Sequence, residues 1–194
     1  SAGQCEDINK IVTPVALPDK GKLYYINLSS EKHVLGGSSL NQILNKIGSK
    51  APGISNISLF KKAFNLVQKL ILEEKIISGH DVSSGGLITS LLEMCFPSNG
   101  VGMEINLTSL KEKDTTALLF AENSGWILQS EMDLTDYFNS FGIDCNSIGI
   151  VNGTGRLKTF NNKDELDLDV SYYRDVWFSC SAALDARQNK FAKE

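Results

Sequence analysis

No basic cluster, no apolar run of membrane-spanning length and no closely spaced cysteine pair occurs in the sequence, and each absence removes a class of function. The formal net charge is −4 over 194 residues. Lys61-Lys62 and Lys111 to Lys113 are short and mixed with acids, so a nucleic-acid surface is not expected. No apolar segment approaches the length needed to cross a bilayer, and no membrane partner is expected. Cys5, Cys95, Cys145 and Cys180 are far apart, with no C-x-x-C pair and no neighbouring histidine to complete a zinc site. They read as reduced thiols, with Cys95 inert on the apolar face of a helix. Together with the lack of a signal peptide, this favours a cytoplasmic location as the expectation.

Other motifs are missing as well. There is no Gly-x-x-x-x-Gly-Lys-Ser/Thr loop, which removes ordinary P-loop phosphate chemistry. There is no Gly-x-Ser-x-Gly elbow, and two histidines leave little material for a hydrolase triad. The acidic run Asp164 to Asp169 lacks the glycine and terminal glutamate spacing of a calcium loop, so it reads as a solvated strand face.

With 42% hydrophobic and 22% charged residues, the chain has the composition of one globular domain. Ser1-Ala2 reads as a cloning remnant ahead of an excised fragment, and residues 1–21, with Pro14 and Pro18, as an extended arm or linker. The globular domain is expected over 22–189, with a frayed tail at 190–194. Lys22 to Leu28 is the first strand. Leu40, Ile43, Leu44 and Ile47 have the spacing of a buried helical face ending at Gly48. Ser58 offers an N-cap for the strongest helix, whose inner face is Leu59, Phe60, Ala63, Phe64, Val67, Leu70 and Ile71. Strands are expected at Ile76 to Gly79, Val101 to Leu107, Gly125 to Ser130 and Ser147 to Val151. Helices are expected after Gly86, at Thr115 to Ala121 and at Met132 to Phe141. A hairpin of Arg156 to Phe160 with Glu165 to Val170 turns through Asn161 to Asp164. A last helix from Ser171 would carry Val176, Trp177, Cys180, Ala183 and Leu184 on an apolar side. The pattern is α/β, with helices packed on a mixed sheet.

The chemistry concentrates in His80-Asp81-Val82-Ser83-Ser84-Gly85-Gly86-Leu87, a strand, tight turn and helix start. Gly85 and Gly86 let the backbone turn sharply. The amides of Ser84, Gly85 and Gly86 would face out of a helix N-terminus, a setting that favours phosphate. Asp81 offers a carboxylate to Mg²⁺ and Ser83 a hydroxyl to a phosphate or to the water shell of the metal. Helix capping by Asp81 or Ser83 fits the same residues equally well. His80, at a strand end, fits a hydrogen-bonded structural role. Leu35-Gly36-Gly37-Ser38 repeats the device at a second helix start, with Ser38 or Ser39 as cap.

Taken in register with Leu35 to Gln42, the helix Phe60 to Glu74, Leu119-Phe120-Ala121-Glu122 and Val176-Trp177-Phe178, the motif resembles the last synthetase subdomain of the large, single-chain phosphoribosylformylglycinamidine synthases. The resemblance runs from about Thr13 to about Gln188. It implies a three-layer α/β/α sandwich of the aminoimidazole ribonucleotide synthetase C-terminal type. It also implies a role in a purine-pathway ligase, a glutamine amidotransferase that uses ATP and Mg²⁺. That ligase converts formylglycinamide ribonucleotide to formylglycinamidine ribonucleotide: ATP activates the amide oxygen, and ammonia from a glutaminase domain displaces it. Asp81 would bind Mg²⁺ and Ser83 would contact the nucleotide, with His80, Gly85 and Gly86 secondary, in a site regarded as structural. No residue of this chain is assigned a catalytic role, and the fragment alone is expected to be inactive. The implied partners are other subdomains of one parent chain, the glutaminase domain among them. The chain departs from the family at Ser84, commonly Asp, and at Asn123-Ser124, commonly an acidic pair, which bears on any contact by Glu122. The alternatives are a related ATP-dependent synthetase or kinase and a non-catalytic interaction domain.

Overall fold

In the computed structural model, residues 7–29 and 33–191 are described. Cys5, Ser30 and the tail residues 192–194 lie outside them, as does the side chain of Cys180.

Seven strands form one sheet in the order β2-β4-β1-β5-β3-β6-β7. They are β1 Lys22–Asn27, β2 Ser78–Asp81, β3 Gly102–Asn106, β4 Gly125–Ser130, β5 Cys145–Asn152, β6 Arg156–Asn161 and β7 Asp164–Asp169. Every neighbouring pair is antiparallel except β3 with β6. Among the described residues the α-helices are α1 Ser39–Ile43, α2 Ile57–Leu72, α3 Gly86–Cys95, α4 Thr115–Phe120, α5 Leu134–Asn139 and α6 Val170–Phe191.

The layering follows from β1, which is apolar on both faces because both faces are covered. Leu23 and Tyr25 point into a core built with α3 and α4, through Leu87, Ile88, Leu91, Leu118 and Leu119. Tyr24 and Ile26 point into a second core, where α2 supplies Ala63, Val67 and Leu70 and α5 supplies Leu134 and Phe138. The result is the three-layer α/β/α sandwich around a mixed sheet. Among the described residues, β3, β6 and β7 give nothing to the second core, so α2 and α5 cover only part of their face. On that uncovered side Arg156 reaches Asp167 at 2.8 Å and Asp169 at 3.4 Å, which accounts for the acidic run as an ion-paired strand face.

The arm before β1 is irregular but fastened. Gly79 N–H, on the edge strand β2, donates to Thr13 O, and Ala16, fully buried, donates to Met94 O. Gln129, also fully buried, accepts from Leu17 N–H and donates to Leu17 O and Lys20 O.

Three expectations are corrected. The N-cap of α2 is Asn56, whose Oδ1 accepts from Leu59 N–H at 2.9 Å, not Ser58. The first helix stops at Ile43, and Ile43, Leu44 and Ile47 are exposed at 78%, 51% and 87% rather than forming a buried face. β5 begins two residues early, at Cys145, and its pairing with β1 shifts register between Leu23 and Tyr24. The last helix forms over Val170–Phe191, with Val176, Trp177 and Leu184 about half exposed. Helical period records that a face is apolar; it carries no information on whether this chain covers it.

Buried Cys95 and Cys145 are free thiols, and burial pushes both up to about 12. That leaves them protonated and inert at neutral pH. No helix among the described residues is long and apolar enough to cross a membrane.

Candidate functional site

The site is the junction of β2 and α3. Asp81 ends β2, and its backbone carbonyl is gripped from two directions. Ser90 Oγ, from α3, donates to it at 3.1 Å, and His80 Nδ1 lies 2.6 Å away. Val82 is buried and its N–H donates to Gly125 O. These contacts fix the main chain and leave the two candidate side chains outward. The Asp81 side chain is 71% exposed, and Ser83 is exposed with no partner for its hydroxyl among the described residues. Neither caps α3, whose N-cap residue is Gly85, with no side-chain capping bond of its own.

Gly85 and Gly86 adopt φ of 87° and 75°, a region that side chains with a Cβ rarely enter. The turn they form differs from the phosphate cradle expected from sequence. Gly86 N–H donates to Ser83 O, and Gly85 N–H donates to Glu122 Oε1 at 2.8 Å. The same Glu122 oxygen accepts the N–H of Ser39 at 2.8 Å. Ser39 is the first residue of α1, and Ser38 is the cap, its Oγ accepting from Asn41 N–H at 3.3 Å. A carboxylate between the ends of α4 and β4 thus joins the two glycine turns, which lie far apart in sequence. No periodicity or spacing signals this. The only sequence hint is that both turns leave N–H groups without an intrahelical acceptor.

Partial burial raises the Glu122 pKa, but the Ser39 and Gly85 amides and the Ser39 hydroxyl outweigh it, and the net value lies below the ordinary 4.5. The ionised carboxylate therefore favours the folded state. Its contribution is complete above about 4.5 and disappears as pH falls through the lower folded value. In Glu122→Gln this part of the acid sensitivity should be missing. Urea midpoints followed from neutral pH to below 4.5 check it, and parallel curves for the two proteins would count against it.

His80 Nδ1 is held against Asp81 O, and its Nε2 lies 3.4 Å from Glu93 Oε2. The other Glu93 oxygen accepts from Trp177 Nε1 at 3.2 Å, which ties α6 to α3. His80 and Ser83 also border an apolar cleft of about 530 Å³ walled by Pro14, Phe96, Pro97 and Trp177. Asn123 is fully buried with its amide toward Asn27 at 3.5 Å.

Among the described residues no group of three His, Cys, Asp or Glu side chains could hold a metal alone. Mg²⁺ usually takes one or two carboxylates and fills its octahedron with water and phosphate oxygens. One exposed carboxylate with a nearby hydroxyl therefore fits a share of a Mg²⁺–phosphate site, and not the whole of one.

Residues 23–160 match the family described as AIR synthase related protein, C-terminal domain. Human phosphoribosylformylglycinamidine synthase is 33% identical over 194 residues, which covers 95% of this chain and 14% of the human protein. The chain thus spans about a seventh of that relative's length. Among solved structures, Thermotoga maritima PurL complexed with FGAR superposes with a TM-score of 0.65 at 12% identity, covering 85% of this chain and 29% of that one. The same protein complexed with ATP gives 0.60 at 11% identity, covering 84% and 27%. At such identities the likeness shows a shared fold.

Proposed function

Because the chain belongs to the AIR synthase related protein C-terminal domain family, we propose that it is one synthetase-type subdomain of a phosphoribosylformylglycinamidine synthase. In that role it lends Asp81 and Ser83 to a Mg²⁺–nucleotide site completed by neighbouring domains. The parent reaction would be the ATP- and glutamine-dependent conversion of formylglycinamide ribonucleotide to formylglycinamidine ribonucleotide. A glutaminase domain would supply the ammonia, and the setting would be cytoplasmic. The single observation carrying the site is the pairing of an outward carboxylate and an outward hydroxyl on a main chain held rigid from behind by Ser90, His80 and Glu122.

In this reading the chain positions and does not react. Bound Mg²⁺ would neutralise phosphate charge. Asp81 would hold the ion, and Ser83 would donate its hydroxyl to a phosphate oxygen or a metal-bound water. His80, held at Nδ1 by the Asp81 carbonyl and with Nε2 beside Glu93, has a structural role here. The chain alone should show no turnover.

Asp81→Asn in the full-length protein tests the site. The side chain is exposed and makes no core contact, so folding should be unaffected while nucleotide co-purifying with the protein is lost. Unchanged nucleotide content would remove the assignment. A parent sequence without a Cys-bearing glutaminase domain downstream would remove the wider reading.

A further inference from the structure

We propose that Glu122 is the positioning residue of this site. One carboxylate oxygen, shared between the N–H groups of Ser39 and Gly85, locks the two glycine turns together and so sets the backbone that presents Asp81 and Ser83. The assignment rests on the nucleotide-site reading above.

Three features carry it. Both donors stand at helix starts, where N–H groups lack intrahelical acceptors and the local dipole favours negative charge, and each lies 2.8 Å from the same oxygen. At α3 the N-cap residue is a glycine, with no side chain to take up this task. The turn itself is intrinsically soft: Gly85 and Gly86 at positive φ are the residues with most conformational freedom to lose, so order at Ser83 must be imposed from outside. Glu122 imposes it from the far side of the junction, through backbone, without entering the space in front of Asp81 and Ser83. It also fills the amide position where a ligand phosphate would otherwise sit. A nucleotide must then be held through its metal and the Ser83 hydroxyl.

The test measures Mg·ADP affinity in the full-length protein for four variants. Asp81→Asn establishes that the site binds at all. Glu122→Ala should weaken binding roughly tenfold, since bonds to a charged acceptor are worth about that factor. Added acetate, free to occupy the vacated amides, should restore it, while the unaltered protein ignores acetate. Glu122→Gln, whose side-chain carbonyl still accepts both N–H groups, should lose less. Ser39→Pro deletes the N–H and the hydroxyl that Ser39 offers and leaves the carboxylate and its Gly85 bond in place. Proline suits the first helical position, and Ser38, at ψ 157°, has the conformation a residue before proline needs, so this variant should fold even if Glu122→Ala does not. A several-fold loss is expected there. Binding as in the unaltered protein in Glu122→Ala or Ser39→Pro, with Asp81→Asn impaired, overturns the role of Glu122 alone. A loss in Glu122→Ala that acetate leaves unchanged reduces Glu122 to a folding residue and overturns it equally. Unimpaired binding in Asp81→Asn overturns the underlying site instead.

Discussion

Gly86→Ala should lower the stability of the folded chain by about 3–5 kcal/mol, seen as a fall in urea midpoint with little change in slope. Two costs add at this position. The backbone sits at φ 75°, where a Cβ is strained by about 1–2 kcal/mol. The added Cβ would also stand 2.7 Å from the carbonyl oxygen of Leu119 and from the carbonyl carbon of Phe120. Those are backbone atoms at the end of α4, so no side chain can rotate away. Pushing them back also displaces Glu122, two residues further on. Gly37→Ala separates the two costs. Gly37 has φ 76° but nothing within 4 Å of the point where an alanine methyl would stand, so only the strain of about 1–2 kcal/mol should appear. Equal losses in the two variants would show that the close approach to α4 contributes nothing.

Gln129→Met should be comparably severe, at about 3–5 kcal/mol, although it keeps the volume of a buried side chain. The glutamine amide answers four groups at once. Its oxygen accepts from Leu17 N–H and Ser78 Oγ, each at 3.0 Å, and its nitrogen donates to Leu17 O and Lys20 O, each at 2.6 Å. A thioether satisfies none of them well, and buried groups left without a partner carry the full cost of their lost hydration. The loss should be local first: the arm before β1 should release ahead of global unfolding. Amide hydrogen exchange at Leu17 and protease cleavage between residues 11 and 20 would report it. Full protection of Leu17 in the variant would refute the role given to Gln129.

How legible the fold is in the sequence depends on where the information lies. β4, Gly125–Ser130, and the hairpin of β6 and β7 are readable because their signals are local: apolar or alternating runs bounded by turn residues. Asn56 escapes notice as a cap because Ser58 is an equally good cap type, and the choice is set by where Leu59 N–H points. The apolar row of α1 reads as buried, but burial is a relation between two surfaces, and one row specifies only one of them. The sheet is recognisably mixed. Its order is not legible, since β1 takes both neighbours from distant segments and no local pattern names them.

The site shows the same division. His80 to Leu87 stands out because glycines, a carboxylate and a hydroxyl fall within one turn. What the turn needs in order to hold its shape is a glutamate contributed by another segment. A local pattern displays the donors but not their acceptor, which is why those amides read as free for a ligand.

The position of β1 in the sheet also dictates a schedule. Lys22 pairs with Ser130 and Leu23 with Gly149, so the first strand to be made cannot be flanked until more than a hundred further residues exist. During synthesis its apolar run, Leu23 to Ile26, must wait with two open edges, and closing so wide a loop slows the search for its partners. Any chain ending before β5 leaves that strand half-paired and prone to capture by another copy. Nascent chains halted between β4 and β5 should therefore depend on chaperones, and chains halted after β7 should not.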